Sequence, residues 1–214
     1  MSLFEEFSQP GATEPLADGA VVLRGFAAPA TARLMEALRS ITEAAPFRHM
    51  MTPGGLRMSV EMTNCGRVGW ISDRSGYRYA PSDPETGQPW PAIPPAFLDL
   101  AQRAAAAAGF AGFEPDVCLI NRYRPGAKLS LHQDKDEQDF RAPIVSVSLG
   151  LPAVFLFGGM KRSDKPRRIR VESGDVAVWG GPSRLAYHGV APVVDGAHPA
   201  TGRSRINLTF RKAL

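Results

Sequence analysis

Cysteine is scarce: the 214-residue chain has two, Cys65 and Cys118. Two thiols cannot build a disulfide framework or a four-cysteine zinc site, and they point to a reducing, cytoplasmic compartment. Long apolar runs are also missing. The longest, residues 150–160, contains three glycines and a proline. It falls short of the ~18 apolar residues that a membrane helix needs, so no membrane partner is expected. Glu5 and Glu6 stand where a secretory leader would carry positive charge, which argues against secretion. Lysine is rare as well, because 20 of the 25 basic residues are arginine. Arginine suits planar, bidentate contact with phosphates and carboxylates. Drift toward Arg and Ala, visible in the run 104–108, is the plainer alternative. No internal repeat is present, and no low-complexity tract beyond that alanine run.

What is there describes an ordinary globular chain. Hydrophobic residues make up 44% and charged residues 21%, with a net charge of +4. This excludes wholesale disorder and is too mild an excess to imply nucleic acid by itself. Residues 20–26 read as a short buried strand. In 31–45, Leu34, Met35, Leu38 and Ile41 recur at helical spacing, and 94–109 reads as a second helix closed by glycine. Residues 46–95 differ: turn signals separate short stretches at 58–62, 67–71 and 77–79, with Trp70, Trp90 and five arginines among them. This looks like small hairpins rich in aromatic and basic side chains. Beyond Phe113 come eight short strands, at 117–124, 129–132, 144–150, 153–158, 168–172, 175–179, 185–188 and 206–211. Their number and turns suggest a sandwich, barrel or jelly roll.

Alternation in the last strand fixes its faces. Arg205, Asn207, Thr209 and Arg211 share one side, and Ile206, Leu208 and Phe210 share the other. A half-solvated strand is the bland reading; a polar face turned into a barrel mouth to grip an anion is the alternative. His132 and Asp134 are two residues apart, hence on one side of an extended chain, and His188 follows 54 residues later. Two imidazoles and a carboxylate form the facial triad of non-haem Fe(II), which leaves positions open for co-substrates. Spacing alone is weak, since Asp134, Asp136, Glu137 and Asp139 could equally be a solvated acidic patch.

Longer runs carry more. Asn121-Arg122-Tyr123-x-Pro125-Gly126-Ala127-Lys128-Leu129-Ser130-Leu131-His132-Gln133-Asp134 resembles a signature of the AlkB family of Fe(II)/2-oxoglutarate dioxygenases. So do Pro143-Ile144-Val145-Ser146-Val147-Ser148-Leu149-Gly150, Val178-Trp179-Gly180-Gly181, Tyr187-His188-Gly189 and Arg205-x-Asn207-Leu208-Thr209-Phe210-Arg211. Met51-Thr52-Pro53-Gly54-Gly55 and Met62-Thr63-Asn64-Cys65-Gly66 are similar too, so the resemblance spans about 15–211.

The resemblance implies an α+β, mainly β fold. A double-stranded β-helix (jelly-roll) core at 96–214 would be joined by an N-terminal strand and helix at 1–45 and a hairpin-rich nucleotide-recognition lid at 46–95. It implies that His132, Asp134 and His188 bind Fe(II), and that Asn121, Tyr123, Arg205, Asn207 and Arg211 hold 2-oxoglutarate. Arg205 would take the distal carboxylate and Arg211 the end nearer the metal. The implied reaction uses O2 and removes N-methyl groups as formaldehyde from 1-methyladenine- or 3-methylcytosine-type bases in single-stranded DNA or RNA. Trp70 would stack on the flipped base opposite His132, and Asp136 would offset its positive charge. Thr52, Tyr77 and Arg162 would contact the nucleotide and its phosphates, and the basic run 161–170 would track the strand. A monomer is the default.

Other readings stay open at this point. They are the same cofactors acting on a protein side chain or small molecule, a non-catalytic nucleic-acid-binding module, and a cupin-like metalloenzyme. Ile206 and the basic content of 161–170 depart from the family's pattern, which bears on substrate preference.

Overall fold

The computed structural model describes residues 9–214, so Glu5 and Glu6 lie outside the described residues. Fourteen strands and two α-helices follow one another among them. They are β1 (Thr13–Ala17), β2 (Ala20–Leu23), α1 (Thr31–Ala44), β3 (Arg48–Met51), β4 (Arg57–Gly66), β5 (Gly69–Asp73), β6 (Gly76–Ala80) and α2 (Pro95–Ala107). Then come β7 (Val117–Tyr123), β8 (Leu129–His132), β9 (Ile144–Gly150), β10 (Ala153–Phe157), β11 (Arg167–Val171), β12 (Val176–Trp179), β13 (His188–Val190) and β14 (Arg205–Arg211). An eight-stranded sheet has the order β1-β2-β12-β9-β14-β7-β4-β3, and a four-stranded sheet has the order β11-β10-β13-β8. Together they form a mainly β, jelly-roll type fold, with β5 and β6 standing apart as a two-stranded hairpin.

Strand alternation sorts the core into two layers. Cys118, Ile120, Val145, Val147, Leu149, Ile206, Leu208 and Phe210 face the helices and pack with Leu34, Leu38 and Ile41 of α1. Phe97, Leu100, Ala101, Ala104 and Ala105 of α2 complete that layer. The alanine run is thus partly a packing surface: without long side chains the helix lies close to the sheet. Ile144, Leu119, Tyr123 and Trp179 of the large sheet face Phe155, Phe157, Ile169 and Val190 of the small one. The polar members of that inner face, including Asn121, Ser146, Ser148, Arg205, Asn207, Thr209 and Arg211, are all buried.

Two expectations need correction. Residues 185–187 are not strand; a 3-10 turn spans Gly181–Ser183 and β13 starts only at His188. Side chains take the carbonyls a ladder would use, because Gln133 Nε2 donates to Leu185 O and His188 Nδ1 to Ala186 O. The stretch 58–62 also belongs to a longer element. β4 spans ten residues and pairs with both β3 and β7, so the β3–β4 hairpin forms the edge of the large sheet and β5–β6 is a separate hairpin. Val60 and Met62 fill the inner core while Glu61 pairs with Arg122 on β7, which anchors both faces of β4.

Candidate active site

His132 ends β8 and His188 opens β13, and the two are direct cross-strand partners. Gly189 makes this approach possible: a Cβ there would lie 2.6 Å from Leu129 O. The imidazole centroids are 4.4 Å apart. Asp134 Oδ1 lies 3.6 Å from His132 Nε2, and Asp134 Oδ2 lies 3.7 Å from His188 Nε2. Backbone carbonyls fix the tautomers. His132 Nδ1 donates to Ser130 O at 2.8 Å and His188 Nδ1 to Ala186 O at 3.0 Å, so each Nε2 turns a free lone pair toward the carboxylate. These three donor atoms lie within 4.8 Å of one another and suit a divalent cation of the iron type. Burial, reinforced by His132, pushes the His188 pKa down to about 4, so this imidazole is neutral and ready to ligate at neutral pH.

The arginines of β14 have opposite surroundings. Arg211 places Nε and Nη2 on Asp134 Oδ2 at 2.8 and 2.7 Å. Burial alone would raise the Asp134 pKa, but Arg211 and then the two histidines hold it well below the usual carboxylate range. Among the described residues Arg205 has no acidic partner: Nη2 donates to Ser148 Oγ at 2.9 Å and the guanidinium lies 5.0 Å from the Tyr123 ring centroid. Its Nε and Nη1, Arg211 Nη1 and Asn121 Oδ1 are buried without a partner among the described residues. Burial pulls the Arg205 pKa down, with Tyr123 opposing, yet an arginine side chain remains charged at neutral pH. A buried cation with unpaired donors calls for an anion, and a dicarboxylate fits.

Register explains how these residues meet. Tyr123 is opposite Arg205, and Asn121 opposite Asn207, across β7 and β14. Asn207 is more occupied than expected. Its Nδ2 donates to Ser146 Oγ and Val147 O while its Oδ1 accepts from Thr209 Oγ1, so it braces β14 against β9.

The other expected contacts are spread along the rim. Trp70 on β5 and Tyr77 on β6 stack on each other at 5.6 Å and 15°. Trp70 Nε1 donates to Asp136 Oδ2 at 2.9 Å, which joins the hairpin to the loop that carries Asp134. Thr52 sits in the β3–β4 turn, where its Oγ1 accepts from Leu56 N. Arg162 is exposed in the β10–β11 loop. Of its basic neighbours, Arg167 is spent on Pro15 O and Leu16 O, and Arg170 on Glu172.

Sequence reasoning missed Glu137, Arg184 and Tyr79. Glu137, grouped with a solvated acidic run, is buried beside Arg184 and takes the Tyr79 hydroxyl. The one available signal was the crowding of acids next to Asp134, which gives no indication of which acid turns inward.

A family model described as the 2OG-Fe(II) oxygenase superfamily matches residues 19–211. The chain is 62% identical, over 94% of its length and 93% of the relative's, to the alpha-ketoglutarate-dependent dioxygenase AlkB of Escherichia coli. It is 35% identical over 62% of its length to the nucleic acid dioxygenase ALKBH1 of Mus musculus, covering 33% of that protein. The solved structure of OsALKBH1 matches with a TM-score of 0.81 at 30% identity, over 94% of this chain and 99% of that one.

Proposed function

Because the chain belongs to the AlkB family of 2OG-Fe(II) oxygenases, with Fe(II) and 2-oxoglutarate as its cofactors, we propose that it is a nucleic-acid demethylase. It would act as a cytoplasmic monomer on N-alkylated bases of the 1-methyladenine and 3-methylcytosine type in single-stranded DNA or RNA. His132, Asp134 and His188 would hold the iron. Arg205, with Tyr123 and Asn121 beside it, would hold the far carboxylate of 2-oxoglutarate, and Arg211 Nη1 would face the end nearer the metal. When bound, the cofactors and O2 supply an oxidation that converts 2-oxoglutarate to succinate and carbon dioxide and hydroxylates the methyl carbon. The resulting N–CH2OH group loses its hydroxyl proton and releases formaldehyde as the C–N bond electrons return to the ring nitrogen.

The chain's own groups would bind and orient. The stacked Trp70 and Tyr77 would part to admit the flipped base, and Trp70 would add cation–π attraction to a base made cationic by methylation. Asp136 would bond the exocyclic amine with the oxygen that Trp70 leaves free. Thr52, Tyr77 and Arg162 would contact the nucleotide and its phosphates, and the exposed Lys161, Lys165 and Arg168 would steer the strand.

The observation that carries this reading is the buried Arg205 guanidinium, with no acidic partner among the described residues, on the inner face of the large sheet, while His132 and His188 stand on the small sheet. The test is formaldehyde release from single-stranded oligonucleotides bearing 1-methyladenine or 3-methylcytosine, with Fe(II), 2-oxoglutarate and O2. Release that requires all three is expected. Succinate formation without demethylation of any oligonucleotide would overturn the substrate assignment.

A further inference from the structure

Behind the Asp134 carboxylate lies a buried polar chain that metal binding and base recognition leave unused. It starts on the hairpin. Tyr79 of β6 is the cross-strand partner of Trp70 on β5. Its ring packs on Val68, Val117 and Ala213, and its hydroxyl donates to Glu137 Oε1 at 2.6 Å. Arg211 Nε lies 3.5 Å from the same oxygen while also gripping Asp134 Oδ2. The other Glu137 oxygen accepts from Arg184 Nη2 at 3.2 Å. Arg184 in turn donates to the Asp134 backbone carbonyl at 2.9 Å and to Ala142 O at 3.0 Å. The Glu137 and Arg184 side chains are only 2% and 3% exposed.

A buried ion pair of this kind is a poor way to gain stability, since apolar side chains of equal volume often do better. Its value lies in geometry. The carboxylate holds two guanidiniums at fixed positions, and one of them sets the rotamer of Asp134. Among the described residues, the hairpin forms no backbone ladder with the large sheet or the small one. Its hydrogen bonds to the loop after Asp134 run through Trp70 to Asp136 and Tyr79 to Glu137, among the described residues.

We propose that Glu137 is a positioning residue that registers the β5–β6 hairpin on Asp134, so that seating a base on the hairpin tightens the metal site. The proposal rests on the nucleic-acid reading given above. A base that separates Trp70 from Tyr77 moves the strand pair bearing Tyr79, and Glu137 passes that adjustment to Arg211 and Asp134. Coupling between two sites is reciprocal, so metal and cofactor must tighten oligonucleotide binding by the same factor.

The test is an anaerobic titration with Mn(II), which does not turn over, in the presence of 2-oxoglutarate. It is run with and without a 1-methyladenine oligonucleotide on the full chain, on Tyr79→Phe and on Glu137→Gln. In the unaltered protein, oligonucleotide should lower the Mn(II) Kd by roughly 5-fold or more, within the usual range of coupling. Tyr79→Phe should keep its Mn(II) Kd without oligonucleotide and lose that factor. Glu137→Gln should weaken Mn(II) even without oligonucleotide, since Arg211 loses its second support. Equal coupling in Tyr79→Phe and the unaltered protein, or no coupling in the unaltered protein, would overturn the link. If the oligonucleotide does not bind at all, the functional reading fails separately. The positioning role is then decided by Glu137→Gln alone, and an unchanged Mn(II) Kd would refute it.

Discussion

The two faces of the large sheet are equally buried and chemically opposite. Every residue of β14 is buried, and so is every residue of β9. On the helix-facing side, Val147, Leu208, Phe210 and their neighbours complete one another with α1 and α2. The inner side carries Arg205, Asn207, Thr209 and Arg211, and leaves donors and an acceptor without partners among the described residues. One face is finished by the chain itself; the other is finished only by a ligand. Buried polar groups are costly unless bonded, so the second face marks where stability has been given up for binding.

That contrast can be broken from either side. The largest effect is expected from Asp134→Ala, which removes the carboxylate between both imidazoles and should abolish formaldehyde release. Next, Arg205→Met should raise the Kd for 2-oxoglutarate by roughly 100-fold or more, as expected when one partner of a buried charged contact is lost. Its melting temperature should hold or rise, because a buried unpaired cation disappears. On the opposite face, Leu208→Ala should cost about 2–5 kcal/mol of unfolding free energy, read by denaturant melts, while the 2-oxoglutarate Kd stays in place.

A pH series on the metal-free protein sharpens the same point. The folded-state pKa of His188, about 4, lies below the ordinary imidazole value of 6.5, so the unfolded chain binds more protons between those values. Stability should therefore fall as pH drops from 6.5 toward 4, by on the order of 3 kcal/mol, and His188→Gln should flatten that slope. The smallest effect belongs to the rim. Arg162→Ala should weaken oligonucleotide binding evenly across sequences and reduce the salt slope by about one unit.

Much of this was legible in the sequence because period-two alternation assigns faces. The split of β14 into Arg205/Asn207/Thr209/Arg211 and Ile206/Leu208/Phe210 needed only the strand, and the eight strands after Phe113 follow from their turns. His132 and Asp134 share a side for the same reason. What alternation cannot supply is the partner across space. Glu137 meets Arg184 across 47 residues of sequence, and in a local window it is one acid among several. The strand expected at 185–188 starts only at His188 because the Gln133 and His188 side chains take the carbonyls of Leu185 and Ala186. The sequence pattern marks only 58–62 of β4, because a strand of a small hairpin looks locally the same when its other edge joins a large sheet. Its pairing with β7 decides that, and pairing is non-local.

The most direct measurement sets the two faces side by side: the Kd for 2-oxoglutarate with Mn(II), and the melting temperature, in Arg205→Met and Leu208→Ala. Loss of cofactor binding without loss of stability in Arg205→Met, and the reverse in Leu208→Ala, is the expected result. An Arg205→Met protein that melts as early as Leu208→Ala, yet binds 2-oxoglutarate as tightly as the unaltered chain, would contradict it.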